Sequence, residues 1–159
     1  MAATITSDGV ISWELREGDF LDLIEHEPHT ANLVFFDPYS PKKNQDMWTT
    51  ACFEKIRKKS RSPEQGGTLL YTYSLATRIR VAMMKGGFFV GRGMATGLKD
   101  ETTEASTYFH QLKSPLGKIW YDRWSKSHLR YPFDCQPQDE AQIDQFVREH
   151  MQVCEKLSL

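Results

Sequence analysis

Between residues 9 and 95, strand-like and helix-like segments alternate, and this restricts the chain to an α/β fold: a largely parallel sheet covered by helices. GVISWELRE, 9–17, sets Ile11, Trp13 and Leu15 on alternate positions, the pattern of a strand with one buried face. FLDLIEHE, 20–27, has helical spacing and stops at Pro28. ANLVFF, 31–36, is apolar without alternation and reads as a fully buried strand, as inside a parallel sheet. A helix starting near Asp46 buries Trp48, Cys52, Phe53 and Ile56 and ends in the basic run 55–61. TLLYTY, 68–73, is the next strand; Ser74 caps a helix over 75–85, which Gly86 and Gly87 close.

FFVGRGMA, 88–95, is a further strand, TGLKDETTEA, 96–105, reads as a polar loop, and STYFHQL, 106–112, reads as a strand returning antiparallel to 88–95. LGKIWYDRWSKS, 116–127, reads as a short aromatic and basic helix. The last amphipathic pattern spans 139–156, with Ile143, Phe146, Val147, Met151 and Val153 or Cys154 inward. No repeat or linker interrupts the 159 residues, so one domain over 1–159 is expected.

Charge and cysteine content narrow the function classes. A net charge of -1 argues neither for nor against nucleic acid, and leaves the question to charge distribution. Cys52, Cys135 and Cys154 are widely spaced, which fits reduced thiols in a cytoplasm better than a disulfide framework. The histidines are scattered without zinc spacing, so no metal site is expected. No apolar run is long enough to span a bilayer, and no membrane partner is expected.

Ligands of such sheets bind beyond the carboxyl ends of the strands, where both Asp19 and Asp37 fall, so the two acids are expected to point into one crevice. In LVFFDPYSPKKNQDMW, 33–48, Pro38 fixes the backbone as it leaves the sheet, and Tyr39 is placed to stack on a planar ring. A carboxylate there can orient an amine or take its proton. Asp37 equally suits a loop cap bonding the amides at 39–40, and Asp19, after Gly18, reads as the N-cap of the 20–27 helix.

DPYSPKKNQDMW at 37–48, GGTLLYTYS at 66–74, TGLKDETTEA at 96–105 and LGKIWYDRWSKS at 116–127, in that order, resemble the S-adenosylmethionine-dependent methyltransferase domain of MnmC and its stand-alone relatives. The likeness covers roughly 9–133 and departs at Gln45, where the family usually has proline. It implies a Rossmann-like methyltransferase sheet and transfer of a methyl group from S-adenosylmethionine to the 5-aminomethyl nitrogen of 5-aminomethyl-2-thiouridine in tRNA. By this resemblance Asp37 lies beside the amine and the methyl donor as acceptor or base, with Pro38 beside it. Asp19 and Phe20 lie near the adenine, and Tyr39 and Ser40 line the substrate entrance. Lys42, Lys43, Lys99 and Arg123 face tRNA phosphate. The flavin-dependent oxidase domain fused to some relatives has no counterpart in length or fingerprint, and no flavin is expected.

The resemblance also implies a glycine-rich loop and a ribose-binding acid ahead of Asp37, and neither is found; only Gly9 and Gly18 precede it. The sheet is therefore expected to be N-terminally truncated, with 9–17 matching the family's third strand and 31–36 left as an exposed edge. Such an edge is satisfied by strand 9–17 moving over, by a second copy in a homodimer, or by the start of a longer protein of which this is a fragment. The alternative function is a non-catalytic RNA- or protein-binding module. The basic run 55–61 and WYDRWSK at 120–126 are its motivating features.

Overall fold

A computed structural model describes residues 2–6, 9–97 and 100–153. The chain opens with a two-stranded antiparallel sheet, β1 (Ala2–Thr6) and β2 (Gly9–Trp13), in register from Ala2 opposite Trp13 to Thr6 opposite Gly9. A one-turn helix, α1 (Phe20–Leu23), and a 3-10 turn, Ile24–His26, lead to β3 (Leu33–Phe35). After it come α2 (Thr50–Lys58), β4 (Leu69–Thr72), α3 (Thr77–Lys85), β5 (Phe89–Gly93) and β6 (Thr102–Ser106). Two further helices, α4 (Lys118–Trp124) and α5 (Glu140–Glu149), complete the described chain.

The second sheet has the order β3-β4-β6-β5. β3 and β4 are parallel, and β6 runs antiparallel to both β4 and β5. Three of the four strands therefore share one direction, and the reversed strand lies between two of them. The strand pattern of 9–17 is corrected on two counts. It ends at Trp13, leaving Leu15 exposed, and it pairs with Ala2–Thr6 instead of joining the larger sheet. A two-residue connection makes a local antiparallel partner cheap in loop entropy, and the local pairing wins over a distant one. The fully buried strand read over 31–36 is also corrected: β3 has no strand on its outer side among the described residues, and Leu33 and Phe35 on it are exposed, Phe35 to 77%.

The 96–105 loop and the 106–112 strand are also corrected: the returning strand is Thr102–Ser106, and Phe109–Gln111 is a 3-10 turn. The strand is largely polar yet wholly buried because each of its polar side chains has a partner. Thr103 Oγ1 accepts from Arg80 Nε at 3.0 Å and donates to Ser74 O at 2.6 Å. Tyr71 donates its phenol to Glu104 at 3.0 Å, and Ser106 Oγ donates to Gln111 Oε1 at 2.6 Å.

Helices α2 and α3 cover one face of this sheet. Phe36, Trp48, Phe53, Leu70, Ile79, Met83, Phe88 and Val90 form the core between the layers. α2 begins where Thr49 accepts the Cys52 amide, and it buries Cys52, Phe53 and Ile56 as the pattern predicts. α3 starts at Thr77, two residues later than the predicted helix, because Ser74 accepts from the Ala76 amide in a turn ahead of it. Gly86 ends α3 against α2: a Cβ there would sit 2.6 Å from Phe53 Cβ and 3.0 Å from the Phe53 backbone carbon. Gly86→Ala is therefore expected to cost about 1–3 kcal/mol by overpacking, read as a lower urea midpoint at unchanged slope.

A second apolar cluster joins Val81 of α3 to Trp124 of α4 and to Ile143 and Val147 of α5. The predicted 139–156 helix is shorter: α5 stops at Glu149, Met151 is exposed, and Cys154 lies outside the described residues. Beyond it, buried Gln152 acts as a strand partner for β5. Its Oε1 accepts the Val90 amide at 2.8 Å, and its Nε2 donates to Val90 O at 2.7 Å and Leu116 O at 2.8 Å. No helix among the described residues is long and apolar enough to cross a membrane.

Candidate functional site

The parallel pairing of β3 and β4 sets Leu33 opposite Leu69 and Phe35 opposite Tyr71, so Asp37 leaves the sheet level with Tyr73. Its Oδ1 accepts from Thr72 Oγ1 at 2.9 Å and from the Tyr73 amide at 2.8 Å. The carboxylate therefore clamps two strand ends together and does not cap its own loop at 39–40. Oδ2 accepts no hydrogen bond among the described residues and stays available to a ligand. The loop that follows Tyr73 is held in turn, since Ser74 O takes the Thr103 hydroxyl and Thr103 is fixed by Arg80, which is paired to Glu101 at 2.6 Å.

Asp37 lines a cleft of about 590 Å³ on the sheet face away from α2 and α3. Phe35 and Tyr71, stacked with centroids 6.0 Å apart, form an aromatic wall, and Met94, Glu104 and Lys113 line other sides. Burial, then the hydrogen bond to Glu104, pushes the Tyr71 phenol above its usual pKa and keeps it a neutral donor. A cleft of this size suits a nucleoside-sized ligand, with the wall for a planar ring and the free carboxylate oxygen for a donor.

The other residues singled out in the sequence fall around this point unevenly. Asp19 accepts the Leu21 amide at 2.7 Å as N-cap of α1, and it is not among the residues lining the Asp37 cleft. Phe20 packs on Phe36 with centroids 5.9 Å apart and lines a separate hollow with Leu23 and Ile24. Pro38 is half-buried, and Tyr39 is 76% exposed with its carbonyl accepting Trp48 Nε1 at 3.0 Å. Ser40 and Lys42 line a third cleft, of about 690 Å³, with Arg78 and Phe133. Lys43 and Arg123 are exposed and line neither cleft, and Lys99 lies outside the described residues. Thr72, Tyr73, Phe35, Tyr71 and Arg78 escaped the sequence reading. The first four follow from aligning the two buried strand patterns by their ends; Arg78 carries no motif.

A cofactor cradle needs glycine turns at the carboxyl ends of the strands. Among the described residues Gly66 and Gly67 precede β4, Gly87 precedes β5, and Gly18, with φ 151°, packs against Leu23. None of these four positive-φ glycines lies at the carboxyl end of a strand of the larger sheet. No group of three or more His, Cys, Asp and Glu among them can hold a metal ion.

Comparison with known proteins agrees with this architecture. The family model of the S-adenosyl-L-methionine-dependent methyltransferases matches residues 2–108. The chain is similar to the tRNA 5-methylaminomethyl-2-thiouridine biosynthesis bifunctional protein MnmC of Ralstonia nicotianae, 28% identical over 118 residues, covering 72% of this chain and 17% of that protein. It is similar to the protein of the same name from Marinobacter nauticus, 32% identical over 97 residues, covering 61% of this chain and 15% of that protein. The chain therefore spans about a sixth of the length of the curated relatives it matches. Its fold resembles the crystal structure of MNMC2 from Aquifex aeolicus at a TM-score of 0.61 and 23% identity, over 87% of this chain and 44% of that one. With the family model spanning most of its length, and with an acid at the carboxyl end of a parallel strand pair, the chain belongs to the S-adenosyl-L-methionine-dependent methyltransferase family.

Proposed function

We propose that the chain serves N-methylation of the aminomethyl group of a modified wobble uridine in tRNA, with Asp37 holding the amine. The observation that carries this reading is a carboxylate that lines the aromatic-walled cleft, with Oδ1 locked by Thr72 and Tyr73 and no hydrogen bond to Oδ2 among the described residues. An aminomethyl group arrives as an ammonium ion, and Oδ2 accepts one of its N–H bonds. That hydrogen bond fixes the direction of the nitrogen, and of its lone pair once the nitrogen has passed a proton to the Asp37 carboxylate or to solvent. Phe35 and Tyr71 offer a stacking surface for the pyrimidine. S-adenosylmethionine, when bound, supplies an electrophilic methyl group. None of the positive-φ glycines among the described residues lies at a strand's carboxyl end to cradle it.

The test is methyl transfer from labelled S-adenosylmethionine, at millimolar concentration to load a weak donor site, to tRNA bearing 5-aminomethyl-2-thiouridine. Label recovered on the amine nitrogen supports the reading. RNA binding without incorporation favours a second one, a binding module that retains the methyltransferase sheet. The exposed Phe35 on β3, whose outer edge has no partner strand among the described residues, supports that second reading, because such an edge accepts a strand from another chain.

A further inference from the structure

We propose that the cleft between the 40–45 loop, the start of α3 and residues 127–133 holds a phosphodiester group of the substrate RNA strand, gripped by Arg78 and Lys42. The proposal rests on the RNA reading of the Asp37 site and adds a second contact to it. Arg78 is half-buried in this cleft of about 690 Å³. Its guanidinium carbon lies 4.6 Å from the centroid of the Phe133 ring. Its Nε is buried and has no hydrogen-bond partner.

Three other arginines are paired with carboxylates. Arg16 lies 2.7 Å from Glu27, Arg80 2.6 Å from Glu101, and Arg130 3.0 Å from Asp144. Among the described residues Arg78 has no such carboxylate, and no aspartate or glutamate lines the cleft, which also receives Lys42. A guanidinium stacked on a ring is held flat, with its terminal N–H groups presented as a fork, and that fork matches two oxygens of a phosphate group. Two cations without a counter-charge in one concavity select an anion.

The place of the cleft selects which anion. Ser40, Pro41 and Lys42 belong to the loop that leaves Asp37, and Leu75–Arg78 follow Tyr73, whose amide holds Asp37. A strand whose modified base reaches Asp37 passes its backbone over this loop. Leu75, Leu129 and Phe133 give the cleft apolar walls that suit ribose and base faces rather than a bare hydrated ion.

The experiment is fluorescence anisotropy with an anticodon stem-loop RNA across a salt series, using the wild-type chain and the variants Arg78→Gln, Arg78→Lys and Lys42→Gln. Arg78→Gln is expected to weaken binding about tenfold and to lower the slope of log affinity against log salt by about 0.7, one single-strand phosphate contact. Arg78→Lys is expected to restore the slope but not the full affinity, because it keeps the charge and loses the fork. Lys42→Gln is expected to lower the slope similarly. Unchanged slopes in both glutamine variants, whether or not their thermal midpoints fall, would overturn the phosphate site while leaving the Asp37 reading in place. Failure of the wild-type chain to bind the RNA at low salt would overturn both. A thermal shift with inorganic phosphate that depends on Arg78, beside RNA affinity that does not, would assign the cleft to a free anion and overturn the RNA contact.

Discussion

Asp37→Asn is expected to lower the rate of methyl transfer to amine-bearing tRNA by about 10²–10⁴-fold, with little change in the thermal midpoint. Asparagine keeps an oxygen in the place of Oδ1, so the hydrogen bonds from Thr72 Oγ1 and the Tyr73 amide can persist and the strand ends stay joined. What it loses is the charge, and Oδ2 is replaced by an NH₂ group that donates and cannot accept from an ammonium ion. Asp37→Ala removes the clamp as well. It is expected to add about 1–3 kcal/mol of destabilisation, because the Tyr73 amide and the Thr72 hydroxyl lose their acceptor. Comparison of the two variants separates holding the amine from holding the sheet. Equal rates for wild type and Asp37→Asn would remove Asp37 from the transfer.

Gln152→Leu is expected to be the most damaging stability change outside the apolar core, at about 2–5 kcal/mol. The Gln152 side chain closes the outer edge of β5 with one amide, bonding the Val90 amide, Val90 O and Leu116 O. Leucine has comparable bulk but leaves the buried Val90 N–H and the Leu116 carbonyl unsatisfied, which carries their full desolvation cost. Val90 O still receives the Leu116 amide at 2.9 Å, so the loss is less than three independent bonds. For a chain of 159 residues this corresponds to a midpoint lower by about 5–15 °C in calorimetry. A drop no larger than that of an exposed-site control such as Lys118→Ala would mean that the edge of β5 does not depend on the amide.

The parts of the fold legible in the sequence were those whose local pattern decides their environment. TLLYTY is an apolar run that has nowhere to go but a sheet, and the α2 pattern of Trp48, Cys52, Phe53 and Ile56 names its buried face directly; ANLVFF marks a strand but not its burial, since Leu33 and Phe35 are exposed on a strand with no outer neighbour among the described residues. β6 was not legible, because its burial depends on partners supplied by other segments. Thr103 needs Arg80 from α3, Glu104 needs Tyr71 from β4, and Ser106 needs Gln111 from the following turn. The fate of 9–17 was decided by a choice of partner strand, which alternation alone does not encode. At the site, the Asp-Pro-Tyr sequence located the acid but not what holds it, since Thr72 and Tyr73 are reached only through the parallel register of β3 and β4. Arg78 and Gln152 act as single side chains, by stacking and by amide pairing, and a single residue leaves no periodic signal.

The measurement that tests the account most directly is the affinity of the chain for two anticodon stem-loops that differ only at the wobble position. One carries 5-aminomethyl-2-thiouridine and the other 2-thiouridine, so the comparison depends on the amine and not on the methyl donor. A charged amine on the free Asp37 oxygen predicts about tenfold or greater preference for the amine-bearing RNA, abolished in Asp37→Asn. Equal affinity of the wild-type chain for the two RNAs would contradict the claim that Asp37 receives the amine.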